Sequence, residues 1–474
     1  MPKATLVTLF LAPLMAFPTG AAAAQIRALV GATVIDGTGA PALPNAVIVV
    51  EGGRLTCVGT VARCPIPPGA ERLDLTGRFV TPGLVDAHVH FSQTGWLDGR
   101  PDGLSAPDLY PYAETARALR EGPERWFRSY LCSGITAVYD VGGHPWTTAL
   151  PARAEGDAMA PHVRAAGPLV THASVPALNV DDEAYTFLPM ATSDEVTSSV
   201  ARLVAMGASA VKVWYLAPSP ARREALDAQL LEVGGAAQGA GLDLIVHATS
   251  LREAKLALMA GARMLVHSVQ DTLVDDEFLA LLAANDAVYA PTLVVGANWS
   301  RAVASVILNE PHTIDDPNGC VDRGTVEKVA ATAPLQAYLP ERLRSPEAAR
   351  QRLARSDAGR ETMAENLRRV HRAGVTVAAA TDAGNPLTLH GPSIYQELEA
   401  MQAAGLPPAE VMVTATRNGA LAMGRLADFG TLEAGKMADL LVLARDPRED
   451  VRAFRTVTHV MRAGRLHAQK DLAH

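Results

Sequence analysis

In the middle of the chain, short apolar runs alternate with longer stretches of helical spacing, and this alternation limits the possible folds more than any other feature. Strand candidates centre on Val85, Ala137, Ala166, Val211, Leu244, Leu265, Tyr289 and Val377. Ala-, Leu-, Arg- and Glu-rich segments such as Ser193 to Met206 and Ala221 to Gln238 lie between most of them. Strands alternating with helices predict a parallel sheet, and eight such units predict a (β/α)8 barrel. In that fold active residues sit at the C-terminal ends of the strands.

Several of these runs end in a residue able to hold a metal. Phe79-Val-Thr-Pro-Gly-Leu-Val-Asp-Ala-His-Val-His ends in His88 and His90. Side chains two apart on a strand share a face, so both imidazoles aim into one space. Lys212 lies in Ala210-Val-Lys-Val-Trp, His247 ends Leu244-Ile-Val-His, His267 ends Met264-Leu-Val-His, and Asp382 ends Ala378-Ala-Ala-Thr-Asp. Imidazole and carboxylate are the ligands of Zn²⁺-type hydrolytic sites. Lysine does not fit that set as an ammonium ion, which presents only protons. Its alternative is a surface or salt-bridged lysine, but Lys212 points opposite to Val211 and Val213, which favours the barrel interior.

This set, with Thr81-Pro-Gly-Leu-Val-Asp-Ala-His-Val-His and Gly430-Thr-Leu-Glu-Ala-Gly-Lys-Met-Ala-Asp-Leu-Leu-Val-Leu, resembles the amidohydrolase superfamily from about Ala28 to the C-terminus. The likeness is to its imidazolonepropionase-like, prolidase-like branch with two metals. The resemblance implies that Lys212 is carboxylated and bridges two divalent ions, with zinc the default and Mn²⁺, Co²⁺ or Fe²⁺ also accepted by such ligands. It implies that His88, His90, Lys212 and Asp382 hold one ion and that Lys212, His247 and His267 hold the other. A hydroxide would bridge them, and Asp382 would take its proton and pass it to the leaving nitrogen. Asp86, two residues before His88, is a candidate to orient a ligand.

The chain ends read differently from the middle. Gly31 to Gly37, Ala46 to Gly52 and Arg54 to Gly59 read as short strands with Gly turns, as do Ala438 to Leu443 and Thr456 to Arg465. They predict a small β-sandwich built from residues 25–80 and 421–474, with the barrel over 81–420. Before them, Lys3, an apolar run from Ala4 to Phe17 and the small residues Ala21-Ala-Ala-Ala-Gln25 have the anatomy of a secretory signal cleaved near Ala24. Pro13 and Pro18 interrupt the apolar run, which is shorter than the ~20 residues a membrane span needs. A secreted or periplasmic protein is therefore expected.

That compartment permits disulfides. Cys57 and Cys64 flank Val58-Gly-Thr, a candidate hairpin turn, and are the candidate pair; Cys132 and Cys320 are read as free. The net charge of −8, without a Lys/Arg block, argues against nucleic acid as the main partner.

The expected activity is hydrolysis of an amide or peptide bond in a small substrate, with a dipeptidase or N-acyl-amino-acid hydrolase first. A cyclic-amide hydrolase of imidazolonepropionase type is the alternative, and a lactonase or esterase would use the same centre. A non-catalytic relative would typically have lost ligands, and none is missing. His144 after strand two, His390 after strand eight and Tyr215 just past Lys212 are candidates for substrate contact, as is Arg164; for the loop histidines the competing reading is a surface residue. The stretch from Asn298 to Arg355 is long for a strand–helix connection and reads as a lid or as a peripheral insertion. Assembly into a homo-oligomer is left open.

Overall fold

The computed structural model describes residues 26–474, so the segment read as an export signal lies outside the described residues. Five strands open the described chain: β1 (Arg27–Val34), β2 (Leu43–Glu51), β3 (Arg54–Thr60), β4 (Glu71–Asp74) and β5 (Phe79–Pro82). Nine follow in the middle: β6 (Leu84–Val89), β7 (Ile135–Asp140), β8 (His162–Ala165), β9 (Leu169–Thr171), β10 (Phe187–Pro189), β11 (Ala210–Trp214), β12 (Asp243–His247), β13 (Met264–Val266) and β14 (Val288–Ala290). β15 (Leu440–Leu443), β16 (Val457–Arg462) and β17 (Arg465–Ala468) close the chain.

The two ends of the chain share one sheet, in the order β17-β16-β15-β5-β1-β2-β3 with β4 on β1. β5 and β15 pair antiparallel, with Val80 opposite Val442, so residues far apart in sequence are neighbours in the ladder. Leu29, Ile48, Leu55, Val80, Leu440, Val442 and Met461 form the core on one face of this sheet. These strands, from the segments expected to form a small β-sandwich, join in one continuous hydrogen-bonded ladder.

The middle strands are parallel. β6-β7-β8 form one sheet and β10-β9-β11-β12-β13-β14 another. Every residue of β6, β7, β13 and β14 is buried, which explains their continuous apolar wording: strands covered on both faces lose the usual alternation. Helices such as Ser193–Ala205, Arg223–Gly239 and Leu251–Met259 lie between them. The first of these starts on a capping box, with Thr192 and Glu195 satisfying each other's backbone N–H groups.

Two strand expectations need correction. The run around Ala166 is β8 ending at Ala165, then a second short strand, β9, with β10 added beside it. The run around Val377 forms no named strand: Val377 bridges Tyr289 and Ala383 bridges Val89. This segment lies between β14 and β6 all the same. Ala378 N–H donates to Tyr289 O at 3.1 Å, Ala87 N–H to Ala379 O at 3.1 Å, and Asp382 N–H to His88 O at 2.8 Å.

The stretch from 298 to 355 is mostly helical, with helices Val295–Leu308, Arg323–Ala330 and Pro346–Ala358. It has its own apolar core, in which Val303, Val306, Leu335 and Leu339 pack with Trp96, Leu97 and Leu104 from the loop after β6. Asp98 and Lys328 pair across that contact at 2.5 Å.

The cysteine reading is revised. Cys57 and Cys64 are bonded, but β3 continues through Thr60, so the turn between them lies later than Val58-Gly-Thr. Cys132 and Cys320 are not free; they are bonded to each other, 188 residues apart. Cys132 ends the helix Glu124–Cys132 and Cys320 lies in the loop after Leu308, a proximity that only the fold creates.

Candidate metal centre

β6 ends beside the segment that carries Asp382, and both empty their last residues into one cavity of about 250 Å³. His88, His90 and Asp382 meet there, all three buried, with ligand atoms within 4.8 Å of one another. His90 Nε2 lies 2.8 Å and His88 Nε2 3.3 Å from Asp382 Oδ1, and the two Nε2 atoms are 3.1 Å apart. Asp382 Oδ1 is nevertheless a buried oxygen with no well-directed hydrogen bond. Buried polar atoms are normally satisfied. Lone pairs converging from two imidazoles and a carboxylate on one point fit a divalent cation.

Neighbouring groups fix this arrangement. His90 Nδ1 lies 2.5 Å from Gly142 O. A carbonyl only accepts, so Nδ1 carries the proton and Nε2 is left with its lone pair toward the cluster. Asp140, at the end of β7, accepts from Gly142 N–H at 3.0 Å and Phe91 N–H at 3.1 Å and so holds both loops. Burial raises the pKa of Asp140 to about 6.

Asp86 accepts from Thr381 Oγ1 at 2.6 Å and Thr381 N–H at 3.0 Å, which ties β6 to the residue before Asp382. Burial raises Asp86 to about 7. Asp382 itself has φ +64°, a left-handed conformation that costs a non-glycine residue about 1–3 kcal/mol and is common at functional sites. Gly384 is needed two residues on, because a Cβ there would lie 2.6 Å from His90 O.

Lys212, His247 and His267 line the same cavity. His247 and His267 are 4.3 Å apart between ring centroids, and His267 is 5.2 Å from His88. Burial, reinforced by the Lys212 charge, lowers His247 to about 3, and burial also pulls His88 and His267 well below the usual range. These rings are neutral at pH 7, as ligands must be. Lys212 is 2 % exposed. Among the described residues it has no carboxylate within ion-pair distance, and burial lowers its pKa to about 8.

The remaining wall divides by chemistry. Leu169, Leu178 and the stacked pair Phe187–Trp214, 5.2 Å apart, are apolar. Gln93, Arg100, Gln270 and Asn385 are polar. Arg100 is held by both oxygens of Asp102 and by Asn385, and lies 4.9 Å over the Trp299 ring. Arg100, Asn385, Phe187 and Trp214 escaped the sequence reading; Arg100, Asn385 and Trp214 lie close in the chain to His90, Asp382 and Lys212, whereas nothing in the sequence points to Phe187.

Four candidates do not line the cavity. His390 is stacked on Trp126 at 4.3 Å and bonded through both ring nitrogens, to Tyr130 OH and to Gln93 O. His144 is buried between Tyr112 and Trp146. Tyr215 turns away and donates to Asp227 at 2.5 Å. Arg164 bonds the carbonyls of Met423 and Ser209.

Histidine and aspartate converging at the ends of parallel strands define a metal-dependent hydrolase acting on carbon–nitrogen bonds. The chain belongs to the amidohydrolase family, whose model matches residues 79–467. It is 25% identical to an ochratoxinase of Aspergillus niger, over 94% of this chain and 87% of that one. It is also 25% identical to an imidazolonepropionase of Caulobacter vibrioides, over 84% and 87%. Among solved structures, a Xaa-Pro dipeptidase with bound methionine shares the fold, with a TM-score of 0.67 at 21% identity over 94% of this chain and all of the other.

Proposed function

We propose that this protein is an exported hydrolase of small amides or peptides, with a two-metal centre held by His88, His90, Lys212, His247, His267 and Asp382. The observation that carries the reading is the convergence of the three ligand atoms of His88, His90 and Asp382 within 4.8 Å, in a cavity that Lys212, His247 and His267 also line. When bound, two zinc-type ions supply a water of lowered pKa and polarise the scissile carbonyl. Asp382 accepts the nucleophile's proton and returns it to the leaving nitrogen. Carboxylation of Lys212 would replace a buried ammonium that has no acid partner by a carboxylate, whose negative charge would be offset by the cations it would help to hold. Arg100 and the Phe187–Trp214 wall suit a substrate with an anionic end and an apolar side chain, such as an N-acyl amino acid or dipeptide.

The barrel reading is supported by the bonds from residues 377–383 to Tyr289 on one side and to Ala87 and His88 on the other, which would join β14 to β6 in a closed ring. The export reading is supported by the wording of residues 1–24 and by two disulfides that leave no free cysteine among the described residues. A cyclic amide is the second reading, favoured by the 25% identity to imidazolonepropionase over 84% of the chain.

The experiment is metal analysis and intact mass of purified protein, then turnover of N-acyl amino acids, dipeptides, hydantoin-like rings and lactones. Two metals per chain, a mass gain of one CO₂ and fastest cleavage of an open-chain amide are expected. Unmodified lysine with both metals bound would rule out the bridging role.

A further inference from the structure

We infer that the Thr292 hydroxyl, itself locked in place by Glu397, sets the ring orientation and tautomer of His267, and with them the metal affinity of the centre. The inference rests on the reading of His267 as a ligand. His267 directs Nε2 toward Asp382, 3.9 Å from Oδ2, and Nδ1 toward Thr292 Oγ1 at 2.7 Å. For Nε2 to offer a lone pair, Nδ1 must carry the proton, and that proton needs an acceptor. Thr292 Oγ1 is the acceptor within reach. Orientation of this kind typically governs how well a histidine binds metal.

His267 N–H donates to Ala290 O at 2.9 Å and Ser268 Oγ to Pro291 O at 2.9 Å, which brings the chain before Thr292 beside His267. Thr292 follows with φ +45°, a conformation foreign to a β-branched residue, and His267 opposite it has φ +78°. The constraint on the far side of Thr292 comes from another part of the chain. Leu293 N–H and Val294 N–H donate to the two oxygens of Glu397 at 2.9 and 3.1 Å. Glu397 belongs to helix Ser393–Ala403, which follows the Asp382 loop, and it is 0 % exposed. A completely buried carboxyl group spent on two backbone amides over-determines the turn that begins at Thr292. Burial raises its pKa to about 8 although both N–H bonds oppose that rise. The arrangement thus runs from Glu397 through the backbone of Leu293 and Val294 to Thr292 and His267. Thr292 and Glu397 are positioning residues: neither lines the cavity.

Glu397 also sits at the start of helix Val295–Leu308, so a purely structural cap is the competing role. The test separates them on cobalt-substituted full-length mature protein, reading the visible cobalt band and metal affinity as well as turnover. Thr292→Gly removes the hydroxyl and suits the backbone; Thr292→Ser keeps the hydroxyl. Thr292→Gly should shift the band and weaken metal binding by about tenfold, Thr292→Ser should restore both, and Glu397→Gln should move both in the same direction. His267→Ala is the control for the ligand. If His267→Ala alters band and affinity while Thr292→Gly leaves both as in the wild type, the inference is overturned. If Glu397→Gln lowers only the unfolding temperature, Glu397 is a cap and that half falls. If His267→Ala itself changes neither reading, the ligand assignment fails and takes the inference with it.

Discussion

Asp382 is held by constraints on every side: a left-handed backbone, the N–H bond to His88 O, and the Asp86–Thr381 pair one residue earlier. Such over-determination suits the role proposed for it, facing a metal and moving a proton. Asp382→Asn keeps an oxygen for coordination but cannot accept the proton. Turnover should fall at least ~10²-fold while metal remains bound, measured as kcat beside metal content; a near-normal rate would assign the proton transfer to another group.

His162, buried at the start of β8, is a second residue held by carboxylates. Its Nδ1 lies 2.6 Å from Glu155 and its Nε2 3.0 Å from Asp439, which ties β8 to the terminal sheet. Burial opposes its charge, yet Asp439 and Glu155 outweigh burial and the neighbouring Arg462, so its pKa rises above 6.5. A raised folded-state pKa means stabilisation that is complete below about 6.5 and is lost as pH rises through the folded value. The gap in unfolding temperature between wild type and His162→Gln should therefore be wider at pH 6 than at pH 9. An equal gap at both would show that His162 is neutral in the fold.

At the scale of elements, the helical stretch after β14 is the part whose role the sequence left most open. It brings Trp299 to the cavity wall, where the indole N–H donates to Asn385 at 3.1 Å and the ring lies under Arg100. The same stretch is anchored at the loop after β6 by Asp98–Lys328 and to helix Glu124–Cys132 by the second disulfide. Its cavity face therefore shapes the substrate side and leaves the metal ligands alone. Trp299→Ala should keep metal content unchanged and lower kcat/KM for the best amide substrate about tenfold, equivalent to about 1.4 kcal/mol. The same variant should act far less on a small generic ester. Equal losses on both substrates would mark Trp299 as part of the scaffold.

For the molecule as a whole, the centre proposed above would join β6, β11, β12, β13 and the segment at 382, so an ion held there would cross-link both parallel sheets. A ligand that binds only the native state stabilises it by RT ln(1 + [L]/Kd), about 2.7 kcal/mol at a hundredfold excess over Kd. Chelation should lower the unfolding temperature together with activity, and zinc should restore both. Loss of activity with no change in unfolding temperature would mean the ions are held too weakly to bridge the strands.

The local wording of the chain determined a good deal. Strands buried on both faces are largely apolar, so the runs that form β6, β7, β11, β12, β13 and β14 stand out in the sequence. Candidate ligands at the ends of these runs followed, because a histidine or aspartate closing an apolar run stands out against it. The period-2 geometry of a strand put His88 and His90 on one face without help from the rest of the fold. Other features belonged to the tertiary structure. The Cys132–Cys320 bond, the Phe187–Trp214 wall, the turn at Thr292 held by Glu397, and the burial of His144 and His390 away from the cavity all join segments distant in sequence. Such pairs leave no periodic trace, since each partner taken alone is an ordinary cysteine, aromatic, threonine or loop histidine. Their roles are set by what packs against them, and packing exists only once the chain has folded.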